Sequence, residues 1–548
     1  VIGTSTVEKT VSFDRGGLTL TSFKNKASGR EYIQGGVISD EVRFTANGHE
    51  ITGSDGRWTL MGEKSHRLAQ GELQMNLVLR RGPLEVTKHY VIYPGTSIIR
   101  EWLTISNPSH ESIRISDPGF LENHILSLEV DKLQLYYMTG GGDYNGSQLL
   151  KMNPMTRTYA RTFDSYDPSD TGPRGMSYSA HLPLLAVHNP QTRDGVMIGW
   201  DYLGHWSLRA GNFRGNPVNL SINLAGYSKD LKPGEAIATP KAFMGTFIND
   251  IDAMGNLLLD WQYRYLWELT NSDYFAKARW GVDWPSPWVG DGGTPSGDNW
   301  GRRMALDLRY VDLLRQAGGD ILWDDAGWYD EWGSWNGPDW RLTIEYLAKH
   351  GMKWVLWYPT FLATRESMIG QKHQEWLIPR EDVFEQSVKA TASWQKGLLD
   401  RSVAAWGGFQ WRYDIAPAVS ATDTGYLESD QNFRSLVQRF KETHKASGVD
   451  ACFGGGRWIS YGLANLAESG EYTDGGVGPY SGYYTSLLVP PDKYHNVTDF
   501  DHTFYSPASD RVHLCLDPCW YRDPGDGPDV EAIRKDWEIY HYLEAQGV

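Results

Sequence analysis

Cysteine is scarce in this sequence, and its scarcity excludes several classes of protein. The 548 residues include 3 Cys (Cys452, Cys515 and Cys519), too few for a disulfide framework. The spacing of Cys515 and Cys519 is compatible with either a local disulfide bridge or two thiols. No His, Cys or acidic cluster has the spacing of a metal site, so neither a metal nor any other cofactor is predicted.

Long basic runs and long hydrophobic runs are also missing. The formal net charge is −16, which argues against nucleic acid and against an anionic membrane as partners. Every apolar run is short and interrupted by charge, so no transmembrane span is predicted. The chain starts at Val1 without a signal peptide. Its compartment is therefore not readable, and a secreted or periplasmic protein with its signal removed is favoured over a cytoplasmic one.

Aromatic residues, by contrast, are abundant. The chain has 24 Trp and 30 Tyr beside 59 Gly. Apart from filling cores, this surplus suits carbohydrate sites, where ring faces stack on sugar C–H faces and carboxylates accept hydrogen bonds from hydroxyl groups. Composition therefore favours an oligosaccharide or glycoconjugate as the partner. The sequence does not indicate whether the chain assembles into a homo-oligomer.

The first part of the chain is predicted to be a β-sandwich. A chain of 548 residues is too long for one ordinary core, so at least two domains are expected. Residues 1–250 consist of short alternating segments such as 73–79 and 89–93, separated by Gly, Pro, Asn and Asp. Many short strands with little helical period indicate a large sandwich.

The second part is predicted to be a (β/α)8 barrel. Residues 251–280 take a helical period and are predicted to form a linker helix. In residues 281–548, strand-like and helix-like segments alternate, with helices predicted over 303–316, 341–349, 430–446 and 529–546. No Gly-rich phosphate loop marks a doubly wound sheet, so the barrel is preferred. The fold class is thus all-β followed by α/β.

One stretch of the barrel region carries a carboxylate at a strand end. Residues 408–415 form an apolar and aromatic run that reaches Asp414 and breaks at Pro417. Arg412 lies two residues before Asp414, so on a strand both side chains leave on the same side. A cation there would keep the carboxylate ionised, as a nucleophile requires. The alternative is a structural Arg–Asp pair.

Acidic, aromatic and glycine residues mark the ends of the other predicted strands. These ends meet at one face of a barrel, where barrel enzymes have their active sites. Two facing carboxylates can break a glycosidic bond, one ionised and the other carrying the proton for the departing oxygen. Asp414 fits the first role, and Glu471 and Asp474 are candidates for the second. The adjacent Asp324 and Asp325 suit either a fork for sugar hydroxyls or a helix N-cap.

The order of these motifs resembles glycoside hydrolase family 36, the α-galactosidase family. The chain has Asp-Asp-x-Gly-Trp, Arg-x-Asp, Cys-x-Gly-Gly-Gly-Arg and a Thr-Asp segment. The family carries Asp-Asp-Gly-Trp, Lys-Trp-Asp, Cys-x-Gly-Gly-Gly-Arg and Ser-Asp-x-Thr-Asp in the same order. Its β-supersandwich, linker helix and TIM barrel match the predicted domains. The family's usual small β domain after the barrel is expected to be absent or trimmed here.

The resemblance implies a retaining, exo-acting α-glycosidase that acts by double displacement. It makes Asp414 the nucleophile, and makes Asp324 and Asp325 the pair that holds the 4- and 6-hydroxyls of an α-galactosyl ring. Arg412 replaces the family's Lys. The remaining predicted substrate-binding residues, of which the glycines also fit a simple tight turn, are Trp354, Cys452, Gly454, Gly455 and Arg457.

Departures from the family leave two questions open. Matching the Thr-Asp segment makes Glu471 the acid/base, whereas counting from the glycine box favours Asp474, which is preferred because the family uses Asp. Ala326 is inserted in the first motif, and Arg412 is not equivalent to Lys. Because the changes cluster around the 2-position and the aglycone side, N-acetylgalactosamine or galactosamine is a candidate sugar beside galactose. A galactosyl transglycosidase and an inactive carbohydrate-binding relative are the alternative functions.

Overall fold

The N-terminal part of the protein is built from antiparallel strands. The computed structural model describes residues 1–124, 130–139, 150–165, 180–213, 216–224, 226–266, 279–284, 311–312, 315–316, 318–324, 328–337, 339–452, 454, 458–471, 479–490, 494–498, 513–516, 531, 534–535, 538–539, 542 and 545–546. The first strands are β1 (Ile2–Gly3), β2 (Val7–Asp14), β3 (Gly17–Asn25), β4 (Ser39–Asp40), β5 (Arg43–Ala46), β6 (His49–Thr52), β7 (Thr59–Arg67), β8 (Leu73–Arg81), β9 (Leu84–Ile92), β10 (Ile98–Ser106) and β11 (Ile113–His124). After a 3-10 turn at Val130–Lys132 follow β12 (Gln134–Thr139), β13 (Leu150–Pro154), β14 (Ala160–Asp164), β15 (His181–Asn189), β16 (Asp194–Trp200), β17 (Trp206–Phe213), β18 (Asn216–Leu224), β19 (Ser228–Leu231), β20 (Ala236–Ala238) and β21 (Ala242–Ile248).

These strands form two large sheets and one small sheet. The ten-stranded sheet has the order β13-β12-β15-β16-β21-β10-β9-β8-β7, with β20 beside β10. The seven-stranded sheet has the order β14-β17-β18-β11-β5-β6, with β19 beside β11, and β1 to β4 form the small sheet. Leu79 and Val86 of the larger sheet share one hydrophobic core with Phe44 and Leu208 of the other. The alternating strands of residues 1–250 therefore pair into sheets that bury a common face, as the sequence pattern predicts.

A cluster of paired charges lies inside this core, and the sequence pattern did not reveal it. The Nζ atom of Lys9 is 2.9 Å from both a Glu41 and a Glu101 carboxylate oxygen, and Lys88 Nζ is 2.5 Å from Glu101 Oε2. The Tyr90 hydroxyl donates to Glu41 at 2.5 Å. Burial alone raises the pKa of Glu41, but Lys9 and Lys88 outweigh it and bring the pKa to about 2. Pairing is what permits these charges in the core.

Removal of one carboxylate from this cluster is expected to destabilise the folded protein. Glu101→Gln leaves two buried ammonium groups with one carboxylate, so the free energy of unfolding should fall by about 3–5 kcal/mol. Urea denaturation followed by circular dichroism measures the loss. Glu63→Gln, on the exposed strand β7, is the control and should change little. A loss below about 1 kcal/mol in Glu101→Gln would show that the cluster is not a tightly paired unit.

A helix leaves the sandwich and leads toward the barrel. Helix α1 (Ile251–Trp261) begins after Asp250, whose side chain accepts a hydrogen bond from Ala253 N at 3.1 Å. A π-helical turn continues it over Gln262–Leu266. Of the predicted linker helix over 251–280, residues 251–266 are helical, 267–278 lie outside the described residues, and 279 and 280 already belong to a strand of the barrel. The domain boundaries themselves stay a prediction.

The C-terminal part contains a closed barrel of eight parallel strands. The strands are β22 (Arg279–Trp284), β23 (Ile321–Asp324), β24 (Lys353–Trp357), β25 (Gln410–Tyr413), β26 (Gly448–Ala451), β27 (Ser469–Glu471), β28 (Tyr494–Thr498) and β29 (His513–Leu516). The described helices between them are α2 (Arg341–Lys349), α3 (Met368–Lys372), α4 (Lys389–Trp406), α5 (Asp423–Thr443), α6 (Tyr461–Ala464) and α7 (Pro479–Ser486), with a 3-10 turn at Gln374–Trp376. Among the described residues, no helix has the length and apolar composition needed to cross a bilayer.

One predicted helix boundary needs correction. The helix predicted over 430–446 starts at Asp423, because Thr422 caps it by accepting a hydrogen bond from Gly425 N at 3.0 Å. The helix predicted over 341–349 has those bounds. The helices predicted over 303–316 and 529–546 lie largely outside the described residues, with helical positions seen within each.

Helix α5 is held against the sandwich, which fixes the segment that follows β25. Lys229 Nζ lies 2.6 Å from Glu428 Oε1 on this helix. The backbone N–H of Leu203 donates to Asp430 Oδ1 at 3.3 Å, and Asp430 also pairs with Arg434 at 3.0 Å. The sandwich therefore braces the barrel on the side where residues 414–422 connect strand to helix.

Candidate active site

Asp414 lies directly after strand β25, at the C-terminal end of the barrel. Its Oδ2 accepts a hydrogen bond from the indole Nε1 of Trp357 at 2.7 Å. Its Oδ1 accepts from the backbone N–H groups of Ile415 at 2.5 Å and of Gly454 at 2.8 Å. N–H donors complement the negative charge of a carboxylate and fix its orientation. Because Trp357 and Gly454 belong to other segments of the chain, tertiary structure sets this orientation.

The residue after Asp414 has a strained backbone. Ile415 has a φ of 75°, in the left-handed region that β-branched residues avoid. This conformation turns the chain sharply, so that the N–H of Ile415 reaches back to the neighbouring carboxylate. Such strain is maintained only where surrounding contacts impose it, and it concentrates at functional sites.

The glycine box supplies a backbone donor to the same carboxylate. Gly454 has a φ of +66°, which explains why glycine suits this position. Its N–H donates to Asp414, and its predicted contact with the 2-position of a sugar stays a prediction. Cys452 is buried with 3% of its surface exposed, and its N–H donates to Tyr413 O at 3.0 Å.

Strand β24 supplies two Trp side chains that leave opposite faces of the barrel wall. Trp357 reaches Asp414, whereas Trp354, an odd number of residues earlier, lies on the other face. Its ring centroid is 5.3 to 6.0 Å from those of Trp340, Trp406 and Phe409. Trp354 is 5% exposed within this packed layer, which favours a packing role, and its contact with substrate stays a prediction.

Asp324 is also enclosed. It is the last residue of β23, is 1% exposed, and its Oδ2 accepts a hydrogen bond from Trp354 Nε1 at 2.6 Å. The finding favours a structural role for one member of the predicted fork. The predicted contact of Asp324 with a sugar hydroxyl stays a prediction.

Arg412 pairs with Asp450 rather than with Asp414. Its Nη1 lies 2.7 Å from Asp450 Oδ1, and the two side chains are 3% and 0% exposed. Asp450 Oδ2 in turn accepts a hydrogen bond from Ser469 Oγ at 2.6 Å. The three residues are register partners on β25, β26 and β27. The expected Arg412–Asp414 pair is therefore wrong, because the adjacent strand places a carboxylate at the level of the guanidinium.

This row of charges crosses the inside of the barrel. The rings of Trp411 and Tyr413 pack against Phe440 and Phe433 of helix α5. Arg412, between them, therefore faces the opposite side, which is the barrel interior. The row lies one layer of side chains below Asp414 and forms part of the floor beneath it.

The remaining predicted residues are placed only in part. Glu471 ends strand β27, in register with His495 of β28, and so belongs to the same barrel rim as Asp414. Four predicted site residues lie outside the described residues, namely Asp325, Gly455, Arg457 and Asp474.

A group of aromatic side chains surrounds Trp357, and we call it the rim aromatic cluster (Trp328, Tyr329, Trp335, Trp357 and Tyr358). Tyr329 and Trp357 are stacked with centroids 5.9 Å apart. Trp335 lies 6.3 Å from Trp357, and Trp328 Nε1 donates to Trp357 O at 2.8 Å. The Gly-Trp motif is the only part of this region that was predicted from sequence to belong to the site. The density of Trp and Tyr after β23 was the signal for the rest.

No group of three or more His, Cys, Asp and Glu side chains suited to a metal ion occurs in the part of the chain that the structure describes. The described groups at the rim are a carboxylate, backbone N–H donors and aromatic rings.

The fold is that of α-galactosidases of glycoside hydrolase family 36. Among solved structures, the α-galactosidase AgaA of Geobacillus stearothermophilus, from that family, matches with a TM-score of 0.78 and 12% identity, over 99% of this chain and 86% of that one. The α-galactosidase of Lactobacillus brevis matches with a TM-score of 0.76 and 13% identity, over 99% and 83%. The galactosidase domain of the α-galactosidase–sucrose kinase AgaSK matches with 0.77 and 14%, over 99% and 85%. No protein-family model and no curated protein sequence matches the chain.

A double-mutant cycle tests the reassignment of Arg412. Arg412→Met and Asp450→Asn, alone and together, should give a coupling of about 2 kcal/mol in the free energy of unfolding, because the two groups form a buried pair. The matched cycle of Arg412→Met with Asp414→Asn should give a clearly smaller coupling. Urea denaturation of the six proteins supplies the data. A larger coupling to Asp414 would restore the pairing expected from sequence.

Proposed function

We propose that this chain is a retaining, exo-acting α-glycosidase of glycoside hydrolase family 36 that hydrolyses terminal α-galactosyl-type residues. The observation that carries the proposal is the Asp414 carboxylate, oriented by Trp357, Ile415 and Gly454 at the C-terminal rim of the barrel. The motif order of the sequence and the fold shared with α-galactosidases support it. In this proposal, residues 1–250 are the supersandwich, 251–280 the linker and 281–548 the catalytic (β/α)8 barrel.

The reaction is a double displacement with Asp414 as nucleophile. A carboxylate oxygen of Asp414 attacks the anomeric carbon, a glycosyl ester forms, and the bond to the aglycone oxygen breaks. The departing oxygen takes a proton from the acid/base residue. Water then gives a proton to that same residue and attacks the anomeric carbon, which releases Asp414 and retains the configuration. The fixed N–H donors hold the nucleophile in position for the attack.

Glu471 and Asp474 remain the candidates for the acid/base. In retaining glycosidases the two carboxyl groups lie about 5–5.5 Å apart. Strand β27 is separated from β25 by one strand, so their backbones are about 10 Å apart at the usual strand spacing. Two carboxylate side chains that extend from these backbones are long enough to bring their carboxyl groups to the required separation. Both residues follow or end β27, and variants of each therefore need to be compared.

The sugar is expected to be galactose, N-acetylgalactosamine or galactosamine. Variants of AgaA have been crystallised with raffinose, with stachyose and with 1-deoxygalactonojirimycin. Since Asp324 is enclosed, Asp325 is the better candidate for holding the 4- and 6-hydroxyls. The changes near the 2-position argue for testing the amino sugars beside galactose.

Turnover of aryl glycosides tests the proposal. The protein should release aryl alcohol from aryl α-galactoside or aryl α-N-acetylgalactosaminide, and Asp414→Asn should lower kcat by several orders of magnitude. Asp339→Asn, an exposed acid elsewhere on the barrel, is the control. Sugar transfer to an acceptor instead of water would indicate the transglycosidase. Binding without turnover, or a loss of only a few-fold in Asp414→Asn, would contradict the assigned mechanism.

Two conservative Trp variants separate the roles of the β24 side chains. Trp357→Phe removes a donor from Asp414 and should lower kcat about tenfold, as expected for a hydrogen bond of about 1.4 kcal/mol in the transition state. Trp354→Phe should leave kcat within about twofold but reduce the free energy of unfolding by about 1–3 kcal/mol, because the buried Asp324 loses its donor. Steady-state kinetics and urea denaturation of both proteins check this. The opposite pattern would return Trp354 to the substrate site.

A further inference from the structure

A cavity of about 440 Å³ lies on the flank of the barrel, outside the candidate active site. It opens between the segment after β23 and helix α4, and we call it the flank pocket. The residues that matter for its chemistry are Trp335, Tyr358, Trp394, Arg401, Ser402 and Trp406. The volume is within the range of pockets that bind small molecules.

One wall of the flank pocket is conformationally strained. Trp335 has a φ of 52°, in the left-handed region that bulky residues rarely adopt. Its side chain is 3% exposed, and its indole Nε1 has no acceptor among the described residues. Backbone strain is maintained only where surrounding contacts impose it and concentrates at functional sites, so its position in a cavity wall makes this cavity a candidate binding site.

The other walls combine aromatic rings with neutral and cationic hydrogen-bonding groups. Trp394 and Trp406 are half-buried, so part of each indole remains accessible from the cavity. The Tyr358 hydroxyl and Ser402 Oγ are 3.2 Å apart, and burial raises the pKa of Tyr358, which keeps its hydroxyl neutral. The exposed Arg401 adds a guanidinium. Two partly accessible indole surfaces with a guanidinium beside them match a molecule with C–H faces and hydroxyl edges, which describes a sugar ring.

We propose that the flank pocket is a second carbohydrate-binding site, which takes one or two sugar units and performs no chemistry. The sugar's C–H face stacks on Trp394 or Trp406, and its hydroxyl groups accept hydrogen bonds from the Arg401 guanidinium. The class of ligand rests on the proposed function of the protein, whereas the geometry of the pocket is independent of that function.

The flank pocket and the active site share a wall. Trp335 belongs to the rim aromatic cluster, and its ring lies 6.3 Å from that of Trp357, which donates to Asp414. A sugar in the pocket therefore rests on the same aromatic layer that orients the nucleophile. This position suits a site that retains an oligosaccharide near the catalytic rim.

Calorimetric titration with raffinose tests the proposal in the full chain carrying Asp414→Asn, which prevents turnover. Two binding sites are expected. Adding Trp394→Ala or Arg401→Gln should remove one site or weaken it at least tenfold. Trp376→Ala, a half-buried Trp outside the pocket, is the matched control and should leave both sites. With Asp414 intact, Trp394→Ala and Arg401→Gln should keep kcat/KM on an aryl glycoside within about twofold.

The outcomes distinguish this proposal from the proposed function. Arg401→Gln changes an exposed residue, so it remains informative if Trp394→Ala fails to fold. A single site that neither variant affects would overturn the second site while leaving the glycosidase intact. Sugar binding that both variants weaken, in a protein that turns over neither aryl glycoside, would support the pocket and contradict the glycosidase.

Discussion

Closure of eight parallel strands into one barrel is the constraint on which the candidate site depends. Because the strands run in one direction, their C-terminal ends meet at a single rim. Trp357 ends β24, Asp414 follows β25, and Gly454 follows β26, so three consecutive strands supply the carboxylate and two of its donors. Nearly 100 residues of chain lie between the first and the last of these groups. A different register between neighbouring strands would separate them.

Buried charge in this protein is tolerated because it is paired across strands. In the barrel, Arg412 meets Asp450 on the next strand, and Ser469 extends the row to a third. In the sandwich, Lys9 and Lys88 share Glu41 and Glu101. Unpaired charges at these depths would be strongly destabilising. Each of these buried charged side chains therefore has a partner of opposite charge on another segment of the chain.

Two residues with strained backbones lie near Asp414, and the helix that follows this segment is held by contacts with the sandwich. Ile415 has a left-handed backbone next to the carboxylate, and Trp335 has one in the aromatic layer behind it. Helix α5, which follows, is tied to the sandwich through Lys229–Glu428 and Leu203–Asp430. The sandwich thus helps to impose the geometry of a rim to which it contributes no predicted catalytic residue.

Sequence by itself determined the order of an all-β region, a helix and a parallel barrel, and it placed Asp414 at the end of a barrel strand. Periodicity and turn residues are local signals, so they are readable without coordinates. Only the tertiary structure decided which groups touch: Asp450 rather than Asp414 beside Arg412, and Trp357 rather than Trp354 at the rim. Strand register and barrel closure set these contacts between residues distant in the chain, and no local pattern records them.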